Sequence, residues 1–243
     1  MDFIKKTLAI AVLILLSTDV MSQITSGKII FERRTNIKKT MGDNPRMKGM
    51  INDKNKIRKE NFALSFDEKR SLFKEIERDE EDAQGFMRYM TQKNTVYQNL
   101  EKREKFIVLD LWGSKPMLKD TMESRPWKVT KSKRKIAGFM CRKAVWEMND
   151  STRIYAWFSP DIVAAVGPEG FEGLPGAILG LATEDGGLIY FATEVVEEKL
   201  PEGITDYSKY KRDVYSKNEL KAILTEKMGK WVKPKDMDAM FSW

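Results

Sequence analysis

Between Pro160 and Gly176 the chain gathers Gly167, Gly170, Gly173 and Gly176 together with Pro160, Pro168 and Pro175. Glycine opens positive φ and proline fixes φ near about −65°, so this spacing imposes turns and rules out a long helix or an unbroken strand. The flanks are of the opposite kind. Residues 154–158 before the cluster, and 177–181 and 188–196 after it, are rich in branched and aromatic side chains and read as strands. Asp185-Gly186-Gly187 turns the chain between the last two. The fold must therefore hold a long glycine loop between strands of one β-rich unit.

A phosphate cradle is the chemistry such glycines first suggest. A Walker loop places Lys and Ser or Thr directly after its last glycine, and a dinucleotide turn opens a helix. Here Leu174-Pro175-Gly176 runs into a β-like segment, so the glycines are read as turn architecture.

The chain has no histidine and a single cysteine. Without imidazole, Ser-His-Asp and Cys-His nucleophile activation are excluded, along with most zinc and copper sites. Cys141 can form no intrachain disulfide. It falls mid-strand, with no histidine to make its thiolate, and reads as a buried structural thiol. Carboxylates, lysine, tyrosine and lysine-activated serine remain as chemistry. The loop acids Asp161, Glu169 and Glu172 are the candidates for a hydrolase, since two carboxylates about 5 to 9.5 Å apart can act at a glycosidic bond. Acids on loops are commonplace, and no residue is assigned to catalysis, to a cofactor or to a metal. The run Asp79-Glu80-Glu81-Asp82 lacks the spacing of a calcium loop and reads as solvated charge.

Residues 1–22 carry Lys5-Lys6, an apolar run from Leu8 to Leu16 and a polar exit with small residues before Gln23. This is the pattern of a cleaved secretory signal peptide, its apolar run too short to span a bilayer. The mature chain, expected to begin at Gln23 after cleavage near Ser22-Gln23, is read as one domain of residues 23–243. It offers no further segment long enough for a transmembrane helix, and a periplasmic or secreted location is expected.

Within that domain, residues 27–33 read as a first strand, and Phe62, Leu64 and Phe66 alternate with polar or small neighbours in a second over 56–66. Residues 67–78 read as a short helix or loop. Phe86, Met87, Tyr89 and Met90 form an apolar cluster read as packing. Residues 95–100 and 105–112 read as a hairpin about the charged turn 101–104. A strand begins at 127–129 and ends in Lys131-Ser132-Lys133-Arg134-Lys135, read as a solvated hairpin tip. Phosphate or anionic lipid headgroups are the alternative that so much concentrated positive charge allows. A long strand follows over 136–148. Ser216-Lys217-Asn218-Glu219 is a capping box opening a helix with Leu220, Ile223, Leu224 and Met228 at helical spacing, stopped at Gly229. Met237, Ala239, Phe241 and Trp243 alternate in a tail read as packed or partner-binding.

The chain also resembles the GLPGLI family of exported bacterial proteins of mostly unassigned function. The name motif stands here as Gly173-Leu174-Pro175-Gly176-Ala177-Ile178. Trp127, Lys135-Ile136, Gly138-Phe139, Cys141, Lys143-Ala144, Ala156-Trp157-Phe158, Ile162, Gly167-Pro168 and Phe171 fall in family order. Ala177 and Phe139 depart from the usual Leu and Tyr. The resemblance covers 127 to about 196 and supplies no catalytic residues; it implies an envelope or secreted location and a mainly antiparallel β fold.

Eight to ten short strands with one or two helices give a mainly β (α+β) fold, a curved antiparallel sheet or open half-barrel with the helices packed on it. Its concave apolar face would take a lipid or other apolar small ligand, or an envelope protein partner. The candidate binding loop at its mouth comprises Trp157, Gly167, Pro168, Phe171, Gly173, Leu174, Pro175 and Gly176. A non-enzymatic binding or carrier module is the leading expectation; the alternatives are a carboxylate-dependent hydrolase and a structural or assembly factor acting through residues 235–243. A net charge of +7 permits attraction to anionic surfaces. No nucleic-acid partner is expected, since the chain reads as exported and carries no recognised binding module.

Overall fold

The computed structural model describes residues 23–40, 50–76, 91–111, 114–122, 124–208 and 213–228. The readings of the leader, the acidic run 79–82, the apolar cluster 86–90, Trp112, Gly229 and the C-terminal tail lie outside them. In chain order the strands are β1 (Gly27–Asn36), β2 (Ile57–Phe66), β3 (Arg70–Glu75), β4 (Thr95–Asn99), β5 (Glu104–Val108) and β6 (Met117–Thr121). They continue with β7 (Lys128–Ile136), β8 (Phe139–Asn149), β9 (Thr152–Ser159), β10 (Ala177–Thr183), β11 (Leu188–Glu197) and β12 (Val214–Tyr215). A single-turn helix α1 (Ile37–Thr40) follows β1, and α2 (Lys217–Met228) closes the described chain.

Among the described residues these strands form one open sheet in the order β12-β6-β5-β4-β3-β2-β1-β11-β10-β9-β8-β7. Every pairing is antiparallel except the two-residue contact of β12 with β6. The chain itself forces this sheet to curl. β6 and β7 are separated by ten neighbour steps in that order, about 48 Å at the usual strand spacing. Yet β6 ends at Thr121 and β7 begins at Lys128, and seven residue steps reach at most about 25 Å. The two sides must therefore approach, and the link from β6 to β7 crosses between them.

Curling gives the sheet an inside. Cross-strand register aligns Ile29, Leu64, Phe73, Val96, Ile107 and Leu118 in one inward row over β1 to β6. These residues join Ala144, Ile154, Ala156 and Phe158 of β8 and β9 in a single buried core. The outer face of β3 to β6 is also covered: Leu72, Tyr97, Phe106, Val108 and Met117 form a second cluster against Ile204 and Tyr207, and the Tyr207 ring stacks on Phe106 at 3.9 Å. At the far end Leu220 and Leu224 of α2 enter the main core. Its capping box is formed, with the Ser216 amide donating to Glu219 at 2.8 Å and the Glu219 amide to Ser216 Oγ at 3.3 Å.

Two expectations are corrected. The described part of 67–78, residues 67–76, is not a helix or loop but a turn and a strand: Asp67 Oδ1 accepts from the Lys69 and Arg70 amides at 2.8 and 2.7 Å, turning the chain into β3. Because β3 is buried on both faces, its sequence lacks the period-two alternation that marks a half-buried strand. The basic run 131–135 is not a hairpin tip but lies within β7, and the turn is Ala137-Gly138, both at positive φ. β7 is the edge strand and almost wholly exposed, so nothing apolar marks it, and lysines there discourage further strand pairing.

Candidate functional site

The glycine loop does not stand at the mouth of the concavity. It is folded into it, which corrects the expectation of an open apolar face with the loop at its rim. Ile162, Val166 and Phe171 have no exposed surface, Leu174 is 3% exposed, and only Pro160, Val163, Gly173 and Pro175 are exposed. Backbone bonds hold the entry and exit: the Val163 amide donates to Ile24 O, the Ile24 amide to Asp161 O, and the Ile178 amide to Val166 O, at 2.8–2.9 Å. At Gly170, with φ +73°, a Cβ would meet Val96 Cγ1 at 2.9 Å, so the loop backbone lies directly on β4. Gly176, with φ +131°, leaves 2.1 Å between an ideal Cβ and Ser159 O, room for no side chain.

Both central carboxylates of the loop point inward. Glu169 sits in a 3₁₀ turn, Pro168–Gly170, with its own φ at +54°, sparsely populated for a residue carrying a Cβ. The Tyr190 hydroxyl donates to Glu169 Oε1 at 2.5 Å and accepts from Arg33 Nη1 at 3.2 Å. Arg33 Nη1 is 3.6 Å from the same carboxylate oxygen. The guanidinium also donates through Nε and Nη2 to Glu60 Oε2, at 3.0 and 2.6 Å, and through Nη1 to Gln92 O at 2.7 Å. Thr91 Oγ1 donates to the other Glu60 oxygen at 2.5 Å. Burial opposes the charge on Glu60, but Arg33, with Thr91 and Arg58, outweighs it and holds the pKa below the ordinary value. For Glu169 burial prevails over Arg33 and Tyr190, and the pKa is raised. Burial likewise carries Tyr190 well above its usual range.

Glu172 is docked three residues further on. Arg125 Nη1 donates to Glu172 Oε1 at 2.9 Å, with the Arg125 guanidinium 4.6 Å from the Phe171 ring centre and 5.4 Å from that of Trp146. Trp127 Nε1 donates to the Glu172 carbonyl at 3.0 Å. Gln98 Nε2 donates to Gly170 O at 3.2 Å while its Oε1 accepts from Ser71 Oγ at 2.8 Å. Burial raises the Glu172 pKa against the opposing pull of Arg125 and Lys105.

Gly167, Pro168, Phe171, Gly173, Leu174, Pro175 and Gly176 are therefore one packed unit, whereas Trp157 stands apart. Its neighbours Ala156 and Phe158 face the core, so alternation sends the indole to the opposite side of the sheet, half-buried, with Arg134 5.2 Å from its ring centre. Asp161 stays at the loop entrance, accepting from Ser159 Oγ at 3.3 Å. Cys141 is fully buried, and burial chiefly, with Asp161 nearby, pushes its thiol to about 11. The loop's partners Arg33, Glu60, Tyr190, Gln98 and Arg125 were not singled out from sequence. Two carried a readable signal: Arg33 continues the buried parity of Ile29 and Phe31, and Glu60 that of Phe62, Leu64 and Phe66. Chemically the arrangement neutralises carboxylates and fixes a loop. Among the described residues no group of three or more metal-ligating side chains converges.

Residues 146–180, from the end of β8 through β9 and the loop into β10, match a family described as a protein of unknown function, Porph_ging. No curated protein matches the chain. Among solved structures it is similar to PNGF-II in its P21 crystal form, with a TM-score of 0.56 and 16% identity over 82% of this chain and 33% of that one. PNGF-II in its C2 form gives a TM-score of 0.54 and 16% identity over 80% of this chain and 31% of that one. The chain thus spans about a third of the length of these solved proteins, and at this identity the likeness concerns the fold alone.

Proposed function

We propose that the chain is an exported, non-catalytic interaction module of the bacterial envelope that binds an envelope protein through the outside of its sheet. The observation that carries this reading is the filling of the concavity by the chain's own loop. Phe171 and Leu174 occupy the space an apolar ligand would need, and Glu169 and Glu172 lie 8% and 3% exposed against Arg33 and Arg125. Carboxylates so enclosed serve docking better than hydrolysis, which needs acid and base open to substrate. The surface left for recognition is the exterior of a sheet whose core is tied at both ends. Export rests on the leader-like residues 1–22 and on the resemblance; among the described residues no helix is long and apolar enough to cross a membrane.

The test is native mass spectrometry of protein purified from its own host's envelope without detergent, paired with photocrosslinkers at exposed Val163 and Val196. The expected result is the mass of the bare chain together with a discrete crosslinked envelope protein. A stoichiometric adduct of lipid size, with no protein crosslink, would establish the carrier reading in its place.

A further inference from the structure

The β7–β8 hairpin carries cations that no carboxylate neutralises among the described residues. Pairing runs Val129↔Ala144 and then Lys133↔Arg142, so β7 advances four residues while β8 advances two. The two surplus residues bulge from the sheet edge at 130–132, and a bulge bends its strand and re-aims the side chains on it. Here it opens a groove of about 390 Å³ lined by Val129, Thr130, Lys131, Lys133 and Arg142. The Thr130 hydroxyl accepts from the Ser132 amide at 3.2 Å, leaving its own proton for a ligand oxygen.

Several neighbouring charges on β7 to β9 are already engaged. Lys128 meets Glu147 at 2.9 Å, Arg153 meets Glu184 at 3.1 Å, and Arg134 is turned onto Phe191 and Trp157. Lys131, Lys133 and Arg142 are exposed and meet no acidic side chain there. Like charges gathered at one place on a sheet edge repel each other even in water, a repulsion that a bound anion relieves. A guanidinium fork with two ammonium groups suits a tetrahedral, multiply charged oxyanion better than a single carboxylate. We propose that this groove is a binding site for a phosphate-bearing molecule, with Arg142, Lys131 and Lys133 on the phosphate, Thr130 donating to it, and Val129 walling the group that carries it. The groove lies open along the sheet edge, so the phosphate can be carried by a larger molecule, either free in solution or a lipid headgroup. The site stands independently of any protein partner.

The test uses the purified, isotope-labelled protein at physiological ionic strength, titrated with inorganic pyrophosphate and followed by amide chemical shifts. Cosedimentation with phosphatidylcholine vesicles containing phosphatidic acid forms the second arm. Saturable shifts confined to β7 and β8 are expected, weakened about tenfold or more in the Lys131→Gln, Lys133→Gln, Arg142→Gln variant. All three side chains are exposed, so this variant should fold, and its unfolding midpoint verifies that. A charge-matched control, Lys59→Gln, Lys74→Gln, Lys102→Gln, should stay within about twofold of the parent. Pyrophosphate binding identifies a soluble phosphate as the source, and vesicle binding alone with the same sensitivity identifies a headgroup; either upholds the site. Equal weakening in both variants, or no saturable binding in either arm, overturns it.

Discussion

Arg33 and Glu60 stand opposite each other in the β1–β2 ladder, at positions where strand alternation otherwise places Phe31, Phe62 and Leu64. Such charges persist in a core only when partnered, and here one guanidinium serves Glu60, Tyr190 and, through Tyr190, Glu169. The arrangement splits the carboxylates by sign. Glu169 and Glu172, their pKa raised chiefly by burial, hold protons more tightly folded than unfolded. Their contribution to stability is therefore full below the unfolded value of 4.5 and is lost as pH rises through the raised folded pKa. Glu60 has the opposite sign: with its folded pKa depressed, its contribution is present above the unfolded value and lost on acidification through the folded one. Urea unfolding at a series of pH values should therefore show stability climbing as pH falls from neutrality toward 4.5, then declining. Glu169→Gln with Glu172→Gln should abolish the climb and spare the decline. A climb of the same size in that double variant would mean that other groups cause it.

As an element, the loop depends on its exit more than on its glycines as a class. At Gly176 an alanine would meet both a φ of +131° and the Ser159 carbonyl at 2.1 Å, whereas at Gly186, with φ +67°, nothing lies within 4 Å of the added carbon. Gly186→Ala should lower stability by about 1 to 2 kcal/mol, the ordinary penalty of left-handed backbone. Gly176→Ala should cost about 4 kcal/mol or more, since the β9–β10 junction must also move. Thermal unfolding of the two variants compares them directly, and equal losses would show that the Ser159 contact yields freely. The contrast also shows what sequence could convey. The turns, the alternating face of β2 and the Ser216 box are local, and each was readable because its cause lies within a few residues. β3, covered on both faces, and β7, covered on almost none, lack the alternation by which strands are recognised. The loop's inward fold was hidden for another reason: Arg33, Gln98 and Arg125 lie 136, 72 and 47 residues from Glu169, Gly170 and Glu172. Only an acid-base pair on buried strand parity hinted at it.

At the scale of the whole molecule, the link from β6 to β7 is the tie between the two sides of an open sheet, and Arg125 is where that tie meets the loop. Its guanidinium is bonded to Glu172 and lies against Phe171 and Trp146, so the crossing segment, the loop and β8 share one contact. Both partners are nearly enclosed, at 8% and 3% side-chain exposure, so removing one leaves the other charged and buried. Arg125→Ala should therefore cost about 3 kcal/mol, toward the lower end of losses for a broken buried pair. By contrast Lys128→Gln, one residue past the same crossing and paired with Glu147 in open solvent, should leave stability essentially unchanged. Total stability alone would not distinguish a tie from any other buried pair; where the loosening appears does. Amide exchange should accelerate over residues 160–176 and at the facing ends of β7 and β8, while β1 and β2, hydrogen-bonded on both sides, keep their protection. Adding Glu172→Gln should restore part of the loss, because a neutral amide there no longer demands a guanidinium. Exchange that rises uniformly over the sheet in Arg125→Ala would mean that the two sides hold together without the crossing, and that the loop, not the tie, closes the molecule.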